Sequence, residues 1–314
     1  MQVISSEQVA QLLAWPALIE RIASAFVAGV EAPPRHHHAM HRKDGEATML
    51  LMPAWQTDGY VGVKMVNVYP QNAAAGIPAI AGVYLLSDGD NGQPLACIDG
   101  SELTRRRTAA ASALAARELA HPDAETLVVL GTGKLAPMLI EAHAAVRPIR
   151  KVQVWGRHPD KAAALVEQYQ DRFDASVVTT LEDSVRNAHV ISCATLSTEP
   201  LVKGDWLSPG AHLDLVGAFR PSMRESDSVA LNRSKVFVDT YAGARGEAGD
   251  LLQAADESTF TFADVRAELA EVLRGDKPGR EHSDDITLFK SVGASLEDLA
   301  AAIEVWQQHM ATGA

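Results

Sequence analysis

Thr126-Leu127-Val128-Val129-Leu130-Gly131-Thr132-Gly133-Lys134-Leu135-Ala136 runs from five residues of buried-strand type into two glycines spaced by one residue. The segment after it, PMLIEAHAAV (137–146), has the composition of a helix. Strand, glycine turn and helix in that order form the opening βα unit of a doubly wound parallel sheet. The spacing is the G-x-G-x-x-A form of the dinucleotide fingerprint. Gly131 and Gly133 let the backbone approach a pyrophosphate, Lys134 and Leu135 complete the turn, and Ala136 lets helix and strand pack closely.

Toward the C-terminus the alternation continues. KVQVW (151–155) reads as a strand and DKAAALVEQYQDRF as a helix. SVVTT, HVISCA, HLDLVGA and KVFVD add strands with helices between them, which predicts a parallel sheet. Three helical stretches close the chain: GARGEAGDLLQAAD, TFADVRAELAEVLRG and the run ending at Met310. The second strand runs into Trp155-Gly156-Arg157-His158, with Lys161 one turn on, where NAD-binding folds place an acid for the ribose 2′-hydroxyl. A charge-assisted pair from Arg157 to a 2′-phosphate contributes about 1.5–3 kcal/mol. That is roughly a ten- to hundred-fold preference for NADPH. NADPH is therefore the expected cofactor and NADH the second choice, with Gly156, Arg157, His158 and Lys161 on the adenosine side.

Toward the N-terminus, HPDAE (121–125) reads as a linker, preceded by LTRRRTAAASALAARELA (103–120), an alanine-rich helix that Thr104 or Thr108 would cap. Its three arginines stand where a helix dipole disfavours cations, so an anion is expected there. Residues 47–99 hold short β runs, ATMLLMP, YVGVKMVNV, IAGVYLLSD and PLACIDG, separated by QTDG, PQNAAAG and DGDNGQ. Such short connections predict an antiparallel meander or small barrel. Lys64 lies in a strand apolar on both faces, where a charge needs an anion or an exit to solvent. Residues 5–30 read as one amphipathic helix, and His36, His37, His38 and His41 as a solvated loop. These histidines lack an HExxH or CxxC context, so no metal site is expected.

Forty acidic against 28 basic residues argue against nucleic-acid binding. No segment reads as a signal peptide or membrane span, and two cysteines in apolar runs fit a reducing compartment, so a cytoplasmic protein is expected. Arg35, Lys64 and one of the three arginines could converge on a substrate carboxylate.

PPR (33–35), LMP (51–53), GVKMVNVYPQN (62–72), LTRRRTAAASA (103–113), GTGKLA (131–136), CATLSTEP (193–200) and ITLFKSVGASLEDLAAA (286–302) together resemble the ornithine cyclodeaminase/mu-crystallin family. The resemblance implies an α/β fold with two domains. One is a β-rich, antiparallel α+β substrate and dimerisation domain, residues 1–122 together with 291–314. The other is a doubly wound Rossmann domain, 123–290. It implies a homodimer. It also implies Arg35, Lys64 and Arg107 as carboxylate ligands, with Lys64 as proton donor or relay. Thr108, Ala194 and Thr195 would stand beside the cofactor, and Ser291 and Val292 on its nicotinamide side. Two acids of the cyclodeaminases are replaced here, by Leu50 and by Phe219, and Leu135 stands where the family has Gln. An apolar wall at Phe219 suits a ring without a distal charge. The expected activity is reduction of a cyclic imino acid, Δ1-pyrroline-2-carboxylate or Δ1-piperideine-2-carboxylate. Ornithine cyclodeaminase, alanine dehydrogenase and a non-catalytic NADPH-binding protein are the alternatives.

Overall fold

A computed structural model describes residues 1–43 and 45–313. The chain divides into two compact units, Met1–Arg107 with Ala294–Ala314, and Thr108–Gly293. The first division falls inside the helix Gly100–Leu119, ahead of the 122/123 boundary read from the sequence. Asp44 and Ala314, both within the first sequence-read domain, lie outside the described residues.

Unit 1 carries one six-stranded open sheet of strands β1 (Gln2–Ile4), β2 (His36–Arg42), β3 (Gly45–Trp55), β4 (Tyr60–Val68), β5 (Ile80–Asp88) and β6 (Pro94–Asp99), in the order β1-β6-β5-β4-β3-β2. β2 to β6 form an antiparallel meander, and β1 adds in parallel to β6, so the sheet keeps two edges and is not a barrel. The two-residue period of a strand splits its side chains between faces. Met52, Ala54, Lys64, Tyr84, Leu86, Ala96 and Ile98 point into the core. There the helix Ser295–Thr312 covers β3, β4 and β5, with Leu299 and Ile303 buried, and the helix Trp15–Ala28 packs against that helix with Leu18, Ile19 and Ile22 buried. On the opposite face Val3, Cys97, Leu85, Val63 and Pro53 stand in register across five strands, and none of them is buried.

Three expectations change here. The single helix over 5–30 is two, Ser6–Leu12 and Trp15–Ala28. Pro16 cannot continue the earlier helix, since its ring would meet the Leu12 carbonyl. The histidine run is an exposed edge strand rather than a loop. The arginine helix starts at Gly100, and its cap is Asp99, whose Oδ1 accepts from the Glu102 N–H at 2.7 Å. Neither Thr104 nor Thr108 caps it, and the arginines sit in its second turn.

Unit 2 is an eight-stranded parallel sheet of β7 (Thr126–Leu130), β8 (Lys151–Trp155), β9 (Asp174–Val177), β10 (Val190–Cys193), β11 (His212–Leu215), β12 (Lys235–Val238), β13 (Val265–Glu268) and β14 (Thr287–Lys290). The order is β13-β12-β14-β11-β10-β7-β8-β9. Every pairing is parallel, and β10, β11 and β14 are buried along their whole length. The order reverses beside β7: β8 and β9 continue to one side, β10 and β11 to the other. Ligands of such sheets bind at the carboxyl ends of the strands flanking that point. TFADVRAELAEVLRG, read as helix, instead holds β13 and the short helix Leu269–Leu273. Val265 and Ala267 point inward and Arg266 outward, so pairing with β12 prevails over the helix-forming composition. Among the described residues no single helix is long and apolar enough to cross a membrane.

Candidate active site

In unit 1, β4 sets Lys64 on the core face between Met52 and Tyr84. Only 2% of Lys64 is exposed. Its ammonium is 2.8 Å from Asp298 Oδ1 and 2.7 Å from Oδ2. Arg107 comes to the same carboxylate from the helix Gly100–Leu119, with Nε 2.9 Å from Asp298 Oδ1 and Nη1 2.7 Å from Glu297 Oε2. Both acids lie in the first turn of Ser295–Thr312 and are fully buried. Arg35, half-buried after two prolines, is near enough to act electrostatically on Lys64 and Asp298.

Burial pushes the Lys64 amine down to about 8. Asp298 opposes that shift, while Arg107 and Arg35 add to it. Burial pushes the Asp298 carboxyl up, but Arg107, Lys64 and Arg35 outweigh it and hold it below its ordinary value. Two cations and two carboxylates cancel, and Arg35 leaves the cluster one positive charge. With Arg35 the cluster sets three cations against two carboxylates. It can bind a carboxylate, and Lys64 can exchange a proton near neutral pH.

The arginine triplet finds its anions within unit 1. Arg105 and Arg106 both reach Glu102, at 2.6 and 2.9 Å, and Arg106 also donates to the Leu13 carbonyl and lies over the Trp15 ring. Of the three, Arg107 alone joins Lys64. Glu297 and Asp298 escaped the sequence reading, because acids opening a helix are accounted for by its dipole. The signal for them was Lys64 itself, a buried cation that requires a counter-ion.

In unit 2, the turn after β7 leads into the helix Ala136–Val146. Gly131 has φ +123°, and a Cβ on it would stand 2.6 Å from the Ala194 carbonyl oxygen, so the turns after β7 and β10 abut. A Cβ on Gly133 would meet nothing within 4 Å. The backbone there faces open space in front of a helix N-terminus, the cradle a pyrophosphate requires. Lys134 is exposed and Leu135 half-buried. Gly156 makes room for Thr132, since a Cβ would come within 2.6 Å of its methyl. Arg157, His158 and Lys161 are exposed beyond β8, and no carboxylate stands among residues 154–158. The residues present therefore fit a dinucleotide.

The remaining expected residues lie at the carboxyl ends of β10, β11 and β14, apart from Thr108, which is half-buried on the helix Gly100–Leu119. Thr195 donates its N–H and its hydroxyl to Glu225 Oε1, both at 2.7 Å. Phe219 is half-buried, with the Arg220 guanidinium 5.6 Å from its ring centre. Asp239 Oδ2 accepts from Ser291 Oγ at 2.9 Å and from the Val292 and Gly293 N–H groups at 2.8 Å. Neither Glu225 nor Asp239 is assigned a role by the sequence reading. Burial pushes the Glu225 carboxyl up to about 7; Asp250 adds to this, while Lys290 and the Thr195 bonds oppose it.

The model of the ornithine cyclodeaminase/mu-crystallin family matches residues 1–313. A Delta(1)-pyrroline-2-carboxylate reductase of Colwellia psychrerythraea is 35% identical, the match covering 97% of this chain and 98% of that protein. The structure of Thermococcus litoralis Delta(1)-pyrroline-2-carboxylate reductase in complex with NADH and L-proline superposes with a TM-score of 0.93 at 31% identity, over 100% of this chain and 98% of that one. An archaeal alanine dehydrogenase dimer with bound NAD gives 0.92 at 28% identity, over 100% and 97%.

Proposed function

The chain belongs to the ornithine cyclodeaminase/mu-crystallin family, and on that premise we propose that it is an NAD(P)H-dependent reductase of cyclic imino acids. It converts Δ1-pyrroline-2-carboxylate or Δ1-piperideine-2-carboxylate to L-proline or L-pipecolate. The observation that carries this reading is Lys64: a buried ammonium with its pKa near 8, flanked by Arg107 and Arg35. Similar reductases in Colwellia and Thermococcus add support.

Arg35 and Arg107 bind the substrate carboxylate, and Lys64 shares in that contact. The cofactor, when bound, supplies a hydride to the imine carbon. Lys64 supplies the proton to the imine nitrogen, which becomes a secondary amine, and Asp298 keeps the lysine charged and in place beforehand. Gly131, Gly133, Lys134, Leu135 and Ala136 cradle the pyrophosphate. Arg157, with His158 and Lys161, takes a 2′-phosphate and favours NADPH over NADH. Thr108, Ala194, Thr195, Ser291 and Val292 border the cofactor. Phe219 supplies an apolar wall where a cyclodeaminase would need an acid for a distal amine. The two free cysteines suit the cytoplasm. The unburied apolar row on the outer face of the unit 1 sheet suits a second copy, as in the dimeric alanine dehydrogenase.

The test follows absorbance at 340 nm with NADPH and with NADH. The substrates are each cyclic imine, and pyruvate plus ammonia; L-ornithine with NAD⁺ is assayed separately for proline. Oxidation with a cyclic imine, reduced roughly 10²- to 10⁴-fold in Lys64→Met, is expected. Proline formed from ornithine without net cofactor change would overturn the reading. Oxidation by pyruvate and ammonia alone would make the protein an alanine dehydrogenase.

A further inference from the structure

We propose that Glu225 is a positioning residue for the cofactor: one buried carboxylate that fastens the turn after β10 to the turn after β11. The proposal rests on the dinucleotide reading of unit 2. Oε1 accepts the Thr195 N–H and hydroxyl at 2.7 Å each, and Oε2 accepts the Gly217 N–H at 2.8 Å and the Ala218 N–H at 3.2 Å. A carboxylate has about four lone-pair sites, and here four donors fill them. The first turn carries Ala194 and Thr195, the second leads into Phe219. The two turns are in close contact, since a Cβ on Gly217 would collide with the Thr195 backbone and with Glu225 itself.

The tie continues below. Asp250 Oδ1 accepts the backbone N–H groups of Glu225 at 2.7 Å and Ser226 at 3.0 Å. Its other oxygen lies 2.9 Å from the Lys290 ammonium, at the end of β14 directly before Ser291. Lys290, Asp250 and Glu225 are all fully buried. One network thus joins the turns after β10, β11 and β14, which carry Thr195, Phe219 and Ser291.

The tie depends on ionisation. A protonated Glu225 has one acceptor site fewer and puts a donor against the N–H groups it held. The groups facing it are Lys290 from β14, Asp250 from the helix Gly249–Asp256, and the buried Cys193 thiol from β10, which burial keeps protonated. The balance among them places the change near pH 7. Cofactor affinity should therefore be constant above about pH 8 and weaken as pH falls through about 7.

The experiment titrates NADH, which has no 2′-phosphate to titrate in this range, by fluorescence, without substrate, between pH 6 and 8.5. It uses His158→Gln as background, to remove the imidazole on the adenosine side. In that background the dissociation constant should rise toward pH 6 by up to roughly tenfold per unit, the limit for one proton. Adding Glu225→Gln should weaken binding roughly tenfold at pH 8 and abolish the pH dependence. Thr195→Val removes only one of the four donors, and should weaken binding less while keeping the dependence. An unchanged profile in Glu225→Gln would overturn the proposal and leave the dinucleotide reading standing. If Glu225→Gln does not fold, a flat profile in the background protein overturns the proposal instead. Absence of any NADPH or NADH binding would overturn the dinucleotide reading, and the proposal with it.

Discussion

Replacing Asp298 by Asn removes the charge that both buried cations of unit 1 share. At 2.7 Å and an effective dielectric constant near 20, the Asp298–Lys64 attraction is about 6 kcal/mol. Deleting one partner of such a pair costs about 3–5 kcal/mol net, because the other charge stays buried. Arg107 keeps Glu297 at 2.7 Å, whereas the ion pair of Lys64 is with Asp298 itself. The variant should therefore lose about 3–5 kcal/mol at pH 7, measured by urea unfolding. The sign of the pH dependence follows from Lys64. Its folded pKa of about 8 lies below the ordinary 10.5, so below pH 8 it is charged in both states and needs its counter-ion. Without Asp298 the folded pKa falls further, so the variant regains stability as pH rises from that lower value to 8 while the wild type does not; the gap should narrow across that window and stay level above pH 8. Arg107 leaves a residue of the gap at all pH values. The same charge raises the Lys64 pKa, so the fall of kcat/KM with rising pH, near pH 8 in the wild type, should move to lower pH in Asp298→Asn. A gap under 1 kcal/mol that does not vary with pH, with the kcat/KM limb unmoved, would refute the reasoning.

The phosphate turn separates two glycines that look alike in sequence. Gly133→Ala should leave the unfolding midpoint nearly unchanged, since its Cβ meets nothing, yet weaken cofactor binding by intruding where the pyrophosphate would lie; unaltered affinity would count against the cradle. Gly131→Ala should lower both stability and affinity, because the new methyl meets the Ala194 carbonyl at φ +123°, and thermal unfolding with a binding titration reads both. Arg157→Ala should weaken NADPH roughly ten- to hundred-fold and NADH little, as a ratio of kcat/KM values. Equal losses for both would remove the 2′-phosphate assignment.

What could be read from the sequence was what repeats locally. The short β runs between turn-forming residues and the strand–glycine–helix order at 126–136 are local patterns, so the sheets and the glycine turn were legible. Partners of Arg105 and Arg106 were also within reach: Glu102 is three and four residues back, the helical spacing for an ion pair. The acids that complete the site were not. Lys64 meets Asp298 across 234 residues of chain, and no local pattern marks a first-turn aspartate as a buried counter-ion rather than a solvated one. Glu225 lies just beyond Phe219, and only the fold shows its carboxylate enclosed by backbone donors. Val265–Glu268 was misread for the opposite reason: helix-forming residues there are overruled by an edge of sheet offered by β12.

The helix Ser295–Thr312 follows all of unit 2 in the chain, yet it supplies the two acids, Glu297 and Asp298, that pair with Lys64 and Arg107. A ribosome emits these two cations long before their counter-ions. Unit 2 is one continuous stretch and can complete its sheet as it emerges. Unit 1 has its meander in hand early but carries an unneutralised lysine and arginine at its centre until the last helix arrives. Its folding is therefore held open through most of synthesis, and chains stalled before residue 295 should present that sheet to chaperones with its core face uncovered.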